Sequence, residues 1–473
     1  MTPESLLLGF LFAVSVIAIG YFLLVNGTYI TITAIAVRYL SRHRHRERYE
    51  PVGDLRSNQF LPGIAVIVPA YNEEPVIVDS VRALLNLEYP SQEIVVVNDG
   101  STDATAERVI EAFDMRPIEA DLPIGLPCAP VRDVYVSPRR QVVLIDKENG
   151  GKADALNAGV FFTEEPLFCA IDADSLIERG ALRTVVEPFL TDPVRTIAAG
   201  GAVRLANGTS FRKGMPHDVD LPGNRLVRFQ AVEYLRAFLL GRIGLSRLNS
   251  LLIISGAFGL FRTEIVRRVG GYDTDSITED MELIVRLHRY RVEADRDYRV
   301  TFLPKPVVWT EAPERLSVLS RQRRRWYRGL LDTLVKHRAV IGRPSYGAVG
   351  IFALPFFLVT EGIGPLFEGL GYVLIPALFV IGLIGHVFFG SFLLVAVGLS
   401  VILTGLAVYG EVITYRRYED PRDAAVLLWY GVLECFLYRP WRAFVSWRGL
   451  VEYLTGNRAW GEMTREGFTY EEE

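Results

Sequence analysis

"GIAVIVPAY", residues 63–71, decides the fold of the chain around it. It is a short apolar, β-branched run without polar alternation, the pattern of a strand buried on both faces of a parallel sheet. Four further runs follow: "EIVVVNDG" (Glu93–Gly100), "QVVLID" (Gln141–Asp146), "LFCAIDAD" (Leu167–Asp174) and "TIAAGGAVRL" (Thr196–Leu205). Helical patterns such as Pro75–Leu87 and Ala104–Phe113 lie between several of them. Strand–helix–strand alternation builds a parallel sheet with right-handed crossovers. Such sheets bind ligands beyond the carboxyl ends of their strands. The polar residues stand at those ends: Tyr71-Asn72-Glu73-Glu74, Asn98-Asp99-Gly100 and Asp172-Ala173-Asp174. The segments Met115–Val134 and Gly208–Asn224 read as irregular, the second as a mobile surface segment.

Outside this middle, which runs from about Phe60 to Arg338, the chain is apolar. Leu6 to Val37 contains no charged residue, longer than the roughly 20 residues a bilayer span needs. Its start, "MTPES", lacks the basic residues of a cleaved leader, so the segment reads as a retained anchor. "RHRHRER" (Arg42–Arg48) follows it and marks the cytoplasmic side. Gly369–Gly410 also lacks charge, long enough for a hairpin of two spans turning near His386 to Gly390. Gly347–Phe367 and Ala424–Trp447 flank it and read as spans or interfacial helices. Parity allows two or four C-terminal spans, and the flank lengths favour four. The chain divides accordingly into an anchor (1–40), a basic linker (41–60), a catalytic domain (61–340) with an interfacial helix (314–338), membrane and interfacial helices (341–450) and a tail (451–473). The chain of 473 residues is too long for one ordinary domain, and its net charge of −4 points to no nucleic-acid partner. Three cysteines without metal spacing read as packing residues.

Several polar groups carry possible chemistry. In "AIDADS", Asp172 and Asp174 share a face of an extended chain at a strand end, where hard oxygen ligands suit Mg²⁺ or Mn²⁺; a solvated turn reads equally well. In "VNDGSTDAT", Asp103 suits a helix cap while Asp99 faces the cleft. "NGGKADALNAG" (Asn149–Gly159) sets Lys152 after a glycine turn, where it meets a diphosphate or is simply exposed. In "SITEDMELIVRLHRY", Thr278 suits a cap, and Glu279 and Asp280 occupy the first helical turn; a carboxylate there takes a proton from an incoming hydroxyl or merely complements the helix dipole. "SRQRRRWYRGLL" (Ser320–Leu331) places Gln322, Arg325 and Trp326 on one helix face. The arginines suit anionic lipid headgroups, whereas Gln322 beside a Trp suits a sugar.

The order "VPAYNEE", "VVVNDGSTD", "GGKADALN", "DADS", "SGAFGLFR", "TED", "QRRRW" resembles the membrane-embedded processive glycosyltransferases of family 2, the cellulose, chitin, hyaluronan and poly-N-acetylglucosamine synthase group. The resemblance covers about Pro62 to Arg328, and the tail "NRAWGEMTREGF" is similar to that of bacterial members. It implies a GT-A type, Rossmann-like α/β cytosolic domain inserted between transmembrane helices, in the plasma (inner) membrane. It also implies inverting, metal-dependent transfer of a sugar, N-acetylglucosamine being the choice the tail suggests, from a UDP-sugar to the end of a growing β-linked polysaccharide. Translocation would accompany synthesis, with accessory secretion subunits and membrane lipids as further partners. On this resemblance Asp99 binds uracil, and Pro69, Tyr71 and Glu73 line the nucleotide. Lys152 lies near the diphosphate, Asp172 and Asp174 hold the metal (Mg²⁺ or Mn²⁺), and Asp280 is the base. Glu279, Gln322, Arg325 and Trp326 meet the acceptor end and diphosphate, with Ser255, Gly256 and Phe258 bordering the acceptor. Arg323 and Arg324 are left for the lipid face. Two other readings stand beside it. One is a non-processive glycosyltransferase acting on a lipid acceptor, since some of these also carry Gln-x-x-Arg-Trp. The other is a non-catalytic scaffold, which the retained Asp172, Asp174, Asp280 and Trp326 oppose.

Overall fold

The computed structural model describes residues 20–42, 61–119, 127–173, 175–212, 215–414 and 420–456. Twelve strands are found among them: β1 (Ile64–Ala70), β2 (Gln92–Asp99), β3 (Arg116–Ile118), β4 (Val131–Val136), β5 (Val142–Lys147), β6 (Leu167–Ile171), β7 (Leu176–Ile177), β8 (Thr196–Leu205), β9 (Thr209–Arg212), β10 (Met215–Val219), β11 (Phe258–Arg262) and β12 (Arg299–Thr310). Ten form one sheet in the order β3-β4-β5-β2-β1-β6-β11-β8-β12-β7. Its centre, β5-β2-β1-β6, is parallel, as the apolar runs require. β11 joins β6 antiparallel, which makes the sheet mixed.

The apolar runs feed both faces. From β1, Ile64, Val66 and Val68 enter one core and Ala65 and Ile67 the other. From β2, Ile94 and Val96 part from Val95 and Val97 in the same way. Register fixes where the site lies: Ala70 stands opposite Asn98, and Asn98 opposite Asp146. Tyr71, Gly100 and Asp172 therefore follow the carboxyl ends of β1, β2 and β6 along one edge. The helix Lys152–Phe162 packs behind it, close enough that a Cβ on Gly159 would stand 2.5 Å from Ile67.

Two expectations about irregular segments change. Within Gly208–Asn224, β9 and β10 pair antiparallel. Within Met115–Val134, β3 and the start of β4 extend the sheet edge. Short, polar, edge-type strands lack the apolar alternation that would reveal them in a sequence.

Three helices are long and apolar enough to cross a membrane: Gly20–Arg42, Val349–Val380 and His386–Val412. Two, not four, therefore follow the α/β domain among the described residues. Gly347–Phe367 is not a separate span, because the helix runs on through Glu361 and Glu368 to Val380. Acids turned inward do not interrupt a helix: Tyr29 donates to Glu361 at 2.7 Å, and both acids face an internal cavity. The turn falls before His386, where the second helix begins, rather than beyond it. Pro421–Phe436 and Tyr438–Leu454 are shorter helices that pack on the domain, with Phe229 against Tyr430 and stacked on Tyr438. Most of the basic linker and the tail motif Asn457–Phe468 lie outside the described residues.

Candidate active site

The glycine turn after β5 is held from beneath. Lys147 is fully buried, with its ammonium 2.6 Å from Asp99 and 2.5 Å from Asp154. The Asp99 carboxylate also accepts from the amides of Gly150 (3.0 Å) and Gly151 (2.7 Å). Gly151 has φ 90°, a conformation that a side chain would strain. Its amide thus points at Asp99 while the chain turns into the helix that begins with Lys152. Asp99 does not face the cleft, as the sequence suggested; it is turned inward because the fixed cation and two amides lie there. Lys147 escaped sequence reading because it looks like the polar end of a strand.

Lys152 reaches across the strand ends. Its Nζ lies 2.5 Å from Asp172 and 3.2 Å from Glu279, and donates to the Gly256 carbonyl at 3.2 Å. Asp172 and Glu279 hold the Lys152 ammonium well above the usual lysine range, against the opposing effect of burial. Glu279 and Asp280 open the helix Glu279–Glu293. Thr278 precedes it but makes no capping bond, and its hydroxyl is buried without a partner among the described residues. Asp280 accepts from the Met281 amide at 2.9 Å. Burial, with Glu279 beside it, pushes its carboxyl up to about 6 against the pull of Lys152. A Cβ on Gly256 would stand 3.1 Å from the Asp280 carboxylate, so Gly256 keeps the approach to that oxygen open.

The helix Leu316–Lys336 forms the opposite wall. Gln322, Arg325 and Trp326 line one cavity of ≈ 760 Å³ together with Lys152, Asp172 and Asp280. Gln322 Oε1 is buried without a hydrogen-bond partner among the described residues. Trp326 is backed by Phe238, centroids 6.0 Å apart, and by the Arg323 guanidinium 4.4 Å from its ring. The cavity continues past them to Tyr29, Glu361 and Arg442, so it joins the strand-end polar groups to the apolar helices.

Arg323 and Arg324 do not face lipid. Arg323 is buried on Glu233 at 2.8 Å, and Tyr438 donates to the same carboxylate at 3.0 Å. Arg324 pairs with Glu452. The acids come from helices remote in sequence, so no local pattern announces them. Arg323→Ala would leave Glu233 short of its closest cation, a loss of roughly 3 kcal/mol; earlier thermal aggregation in detergent is the expected result, and wild-type melting would refute the pairing. Among the other anticipated residues, Ser255 lines the cavity, whereas Phe258 is fully buried in β11 and does not border it. Pro69, Tyr71 and Glu73 sit at the end of β1, outside that cavity, with Tyr71 half exposed. Asp174 lies outside the described residues. Asp103 accepts from the Thr105 amide at 3.1 Å, as a capping residue does.

The chain is similar to known glycosyltransferases. Residues 130–329 match the family described as "Glycosyltransferase like family 2", and residues 65–124 match "Glycosyl transferase family 2". Over 282 residues the chain is 30% identical to the poly-beta-1,6-N-acetyl-D-glucosamine synthase of Staphylococcus epidermidis, covering 59% of this chain and 57% of that protein. The synthase of the same name from Staphylococcus aureus (strain COL) is 31% identical over 279 residues, covering 58% and 56%. The match thus spans little more than half the length of these relatives. A mannosyltransferase from Pyrobaculum calidifontis, solved with GDP-Man and Mn²⁺, has a similar structure: TM-score 0.50, 18% identity, 92% of this chain and 99% of that one. That likeness speaks for the fold, which is of the GT-A type.

Proposed function

We propose that this membrane-associated family 2 glycosyltransferase moves a sugar, N-acetylglucosamine, from a UDP-sugar to the end of a growing β-linked polysaccharide, with inversion. The single observation that carries the reading is the continuous cavity. It holds a carboxylate base candidate, a diphosphate-side cation and a Trp platform at one end, and reaches helices long enough to cross a membrane at the other. A lipid acceptor needs no such passage, and a scaffold needs no cluster of this kind. The relatives' name supports N-acetylglucosamine.

The chemistry assigns each group a task. Asp280 takes the proton of the acceptor hydroxyl, whose oxygen attacks the anomeric carbon as its bond to the diphosphate oxygen breaks and UDP departs. Trp326 carries the acceptor ring, and Gln322 offers its unsatisfied oxygen to a sugar hydroxyl. Lys152 and Arg325 stand on the diphosphate side, where negative charge grows. Ser255 and Gly256 border the acceptor. Pro69, Tyr71 and Glu73 line the nucleotide, while Asp99 shapes that subsite through the glycine turn. For a divalent cation, Asp172 is a partly exposed oxygen donor that already faces a positive charge, Lys152 Nζ, at 2.5 Å. Two carboxylates with diphosphate oxygens make a hard shell suited to Mg²⁺ or Mn²⁺, so Asp172 with Asp174 would hold one. The metal supplies charge neutralisation at the leaving group. The domain would lie on the cytoplasmic side of the inner membrane, with the polymer leaving along the cavity past the three apolar helices. Accessory subunits would join it there.

The test is UDP release from purified, detergent-solubilised protein offered a panel of UDP-sugars with Mg²⁺ or Mn²⁺, followed by sizing of the product. Release with one donor and long chains is the expected result. A product that partitions with lipid and never elongates would establish the lipid-acceptor reading instead. No release with any donor would sink both.

A further inference from the structure

We propose that Arg242 is an acceptor-binding residue, whose guanidinium donates to the carbonyl oxygen of an N-acyl group on the sugar receiving the next unit. The inference rests on the transferase reading above and deepens it. Arg242 opens the short helix Arg242–Arg247, directly after a π-helical segment, Tyr234–Gly241. It is only 6% exposed, yet it lines the cavity that holds Asp280. Its guanidinium carbon lies 4.2 Å from the Phe238 ring centroid and 5.7 Å from that of Phe302. Phe238 in turn backs Trp326. The rings fix the plane of the fork in the wall of the cavity that Asp280 also lines.

What sets Arg242 apart is the lack of a partner. Other cations in the cavity wall are matched: Lys152 by Asp172, Arg236 by Glu434, Arg323 by Glu233. Among the described residues no carboxylate pairs with Arg242, and its Nη1 is buried without a hydrogen bond. An unpaired buried charge with an unmade hydrogen bond is costly, and a ligand that supplies the missing oxygen relieves the cost. The oxygen need not be anionic, because eight carboxylates and eight cations line the cavity and balance one another. An amide carbonyl accepts in its own plane, carries no competing proton and brings no counter-charge.

The experiment compares acceptors. Short oligosaccharides of an N-acyl hexosamine, and the same oligosaccharides after de-N-acylation, are offered with the donor found by UDP release. Wild-type protein is expected to favour the acylated acceptor by about 10- to 100-fold in kcat/KM, since a donor left unpaired rejects the analogue. In Arg242→Met the preference should fall below about threefold, with acceptor KM raised and donor KM moved much less. Arg242→Lys, which keeps charge without the planar fork, should fall between. Arg242→Met should also melt at or above the wild type, because apolar packing replaces an unpaired charge. A preference retained in Arg242→Met, or a melting point well below the wild type, would overturn the inference and make Arg242 structural. Wild-type protein that transfers from no donor would instead overturn the transferase reading and this inference with it.

Discussion

Asp280→Asn removes transfer while leaving the fold and donor binding in place. A positioned base contributes about 10²- to 10⁴-fold, and that is the loss expected in kcat/KM for the acceptor. The pH dependence is a sharper test, because a helix cap would not produce it. The base acts as carboxylate, and burial with Glu279 alongside has raised its carboxyl to about 6. Below that pH the free enzyme holds the proton, so kcat/KM should climb roughly tenfold per pH unit up to about 6 and then level off. Glu279→Gln deletes a negative neighbour, favours the ionised form and should move the limb to lower pH. A flat profile, or a limb that moves upward in Glu279→Gln, would mean that another group is the base. Equal UDP release from wild type and Asp280→Asn would reduce Asp280 to its place in the first helical turn.

Much of this was readable from the chain alone, for identifiable reasons. A strand buried on both faces has no freedom to hide polar residues, so β1, β2, β5 and β6 stand out as continuous apolar runs. Strand ends are where such sheets bind ligands, so Asp172 and the residues after β1 and β2 draw attention by position. Helix geometry brings Gln322, Arg325 and Trp326 to one wall. What escaped was set by partners distant in sequence. Arg323 resembled an exposed arginine until Glu233, ninety residues earlier, met it in the core. Phe258 was assigned to the acceptor side, yet a strand residue that close to the site still points to one face or the other, and it points into the core. Gly347–Phe367 reads as a segment apart from the uncharged run after it, whereas an internal polar cavity takes up Glu361 and Glu368 and lets one helix continue to Val380.

The largest loss of stability is expected from Lys147→Met. Lys147 is the common cation of two carboxylates from different elements: Asp99 at the end of β2, and Asp154 in the helix that carries Lys152. Asp99 fixes the amides of Gly150 and Gly151, and Asp154 accepts from the Ala129 amide at 2.8 Å. Removing one partner of a buried ion pair costs about 3–5 kcal/mol, because the charge left behind has neither water nor a counter-ion. Here two carboxylates are left at once. The methionine fills the volume, so the loss is electrostatic rather than a cavity effect. Melting well below the wild type is therefore expected, together with a raised donor KM, since the glycine turn that precedes Lys152 loses its anchor. Adding Asp99→Asn and Asp154→Asn should restore much of the stability by removing the stranded charges, without restoring donor binding in full. A Lys147→Met protein that melts like the wild type would show that the carboxylates find other partners. A triple variant no more stable than Lys147→Met would trace the loss to packing instead of charge.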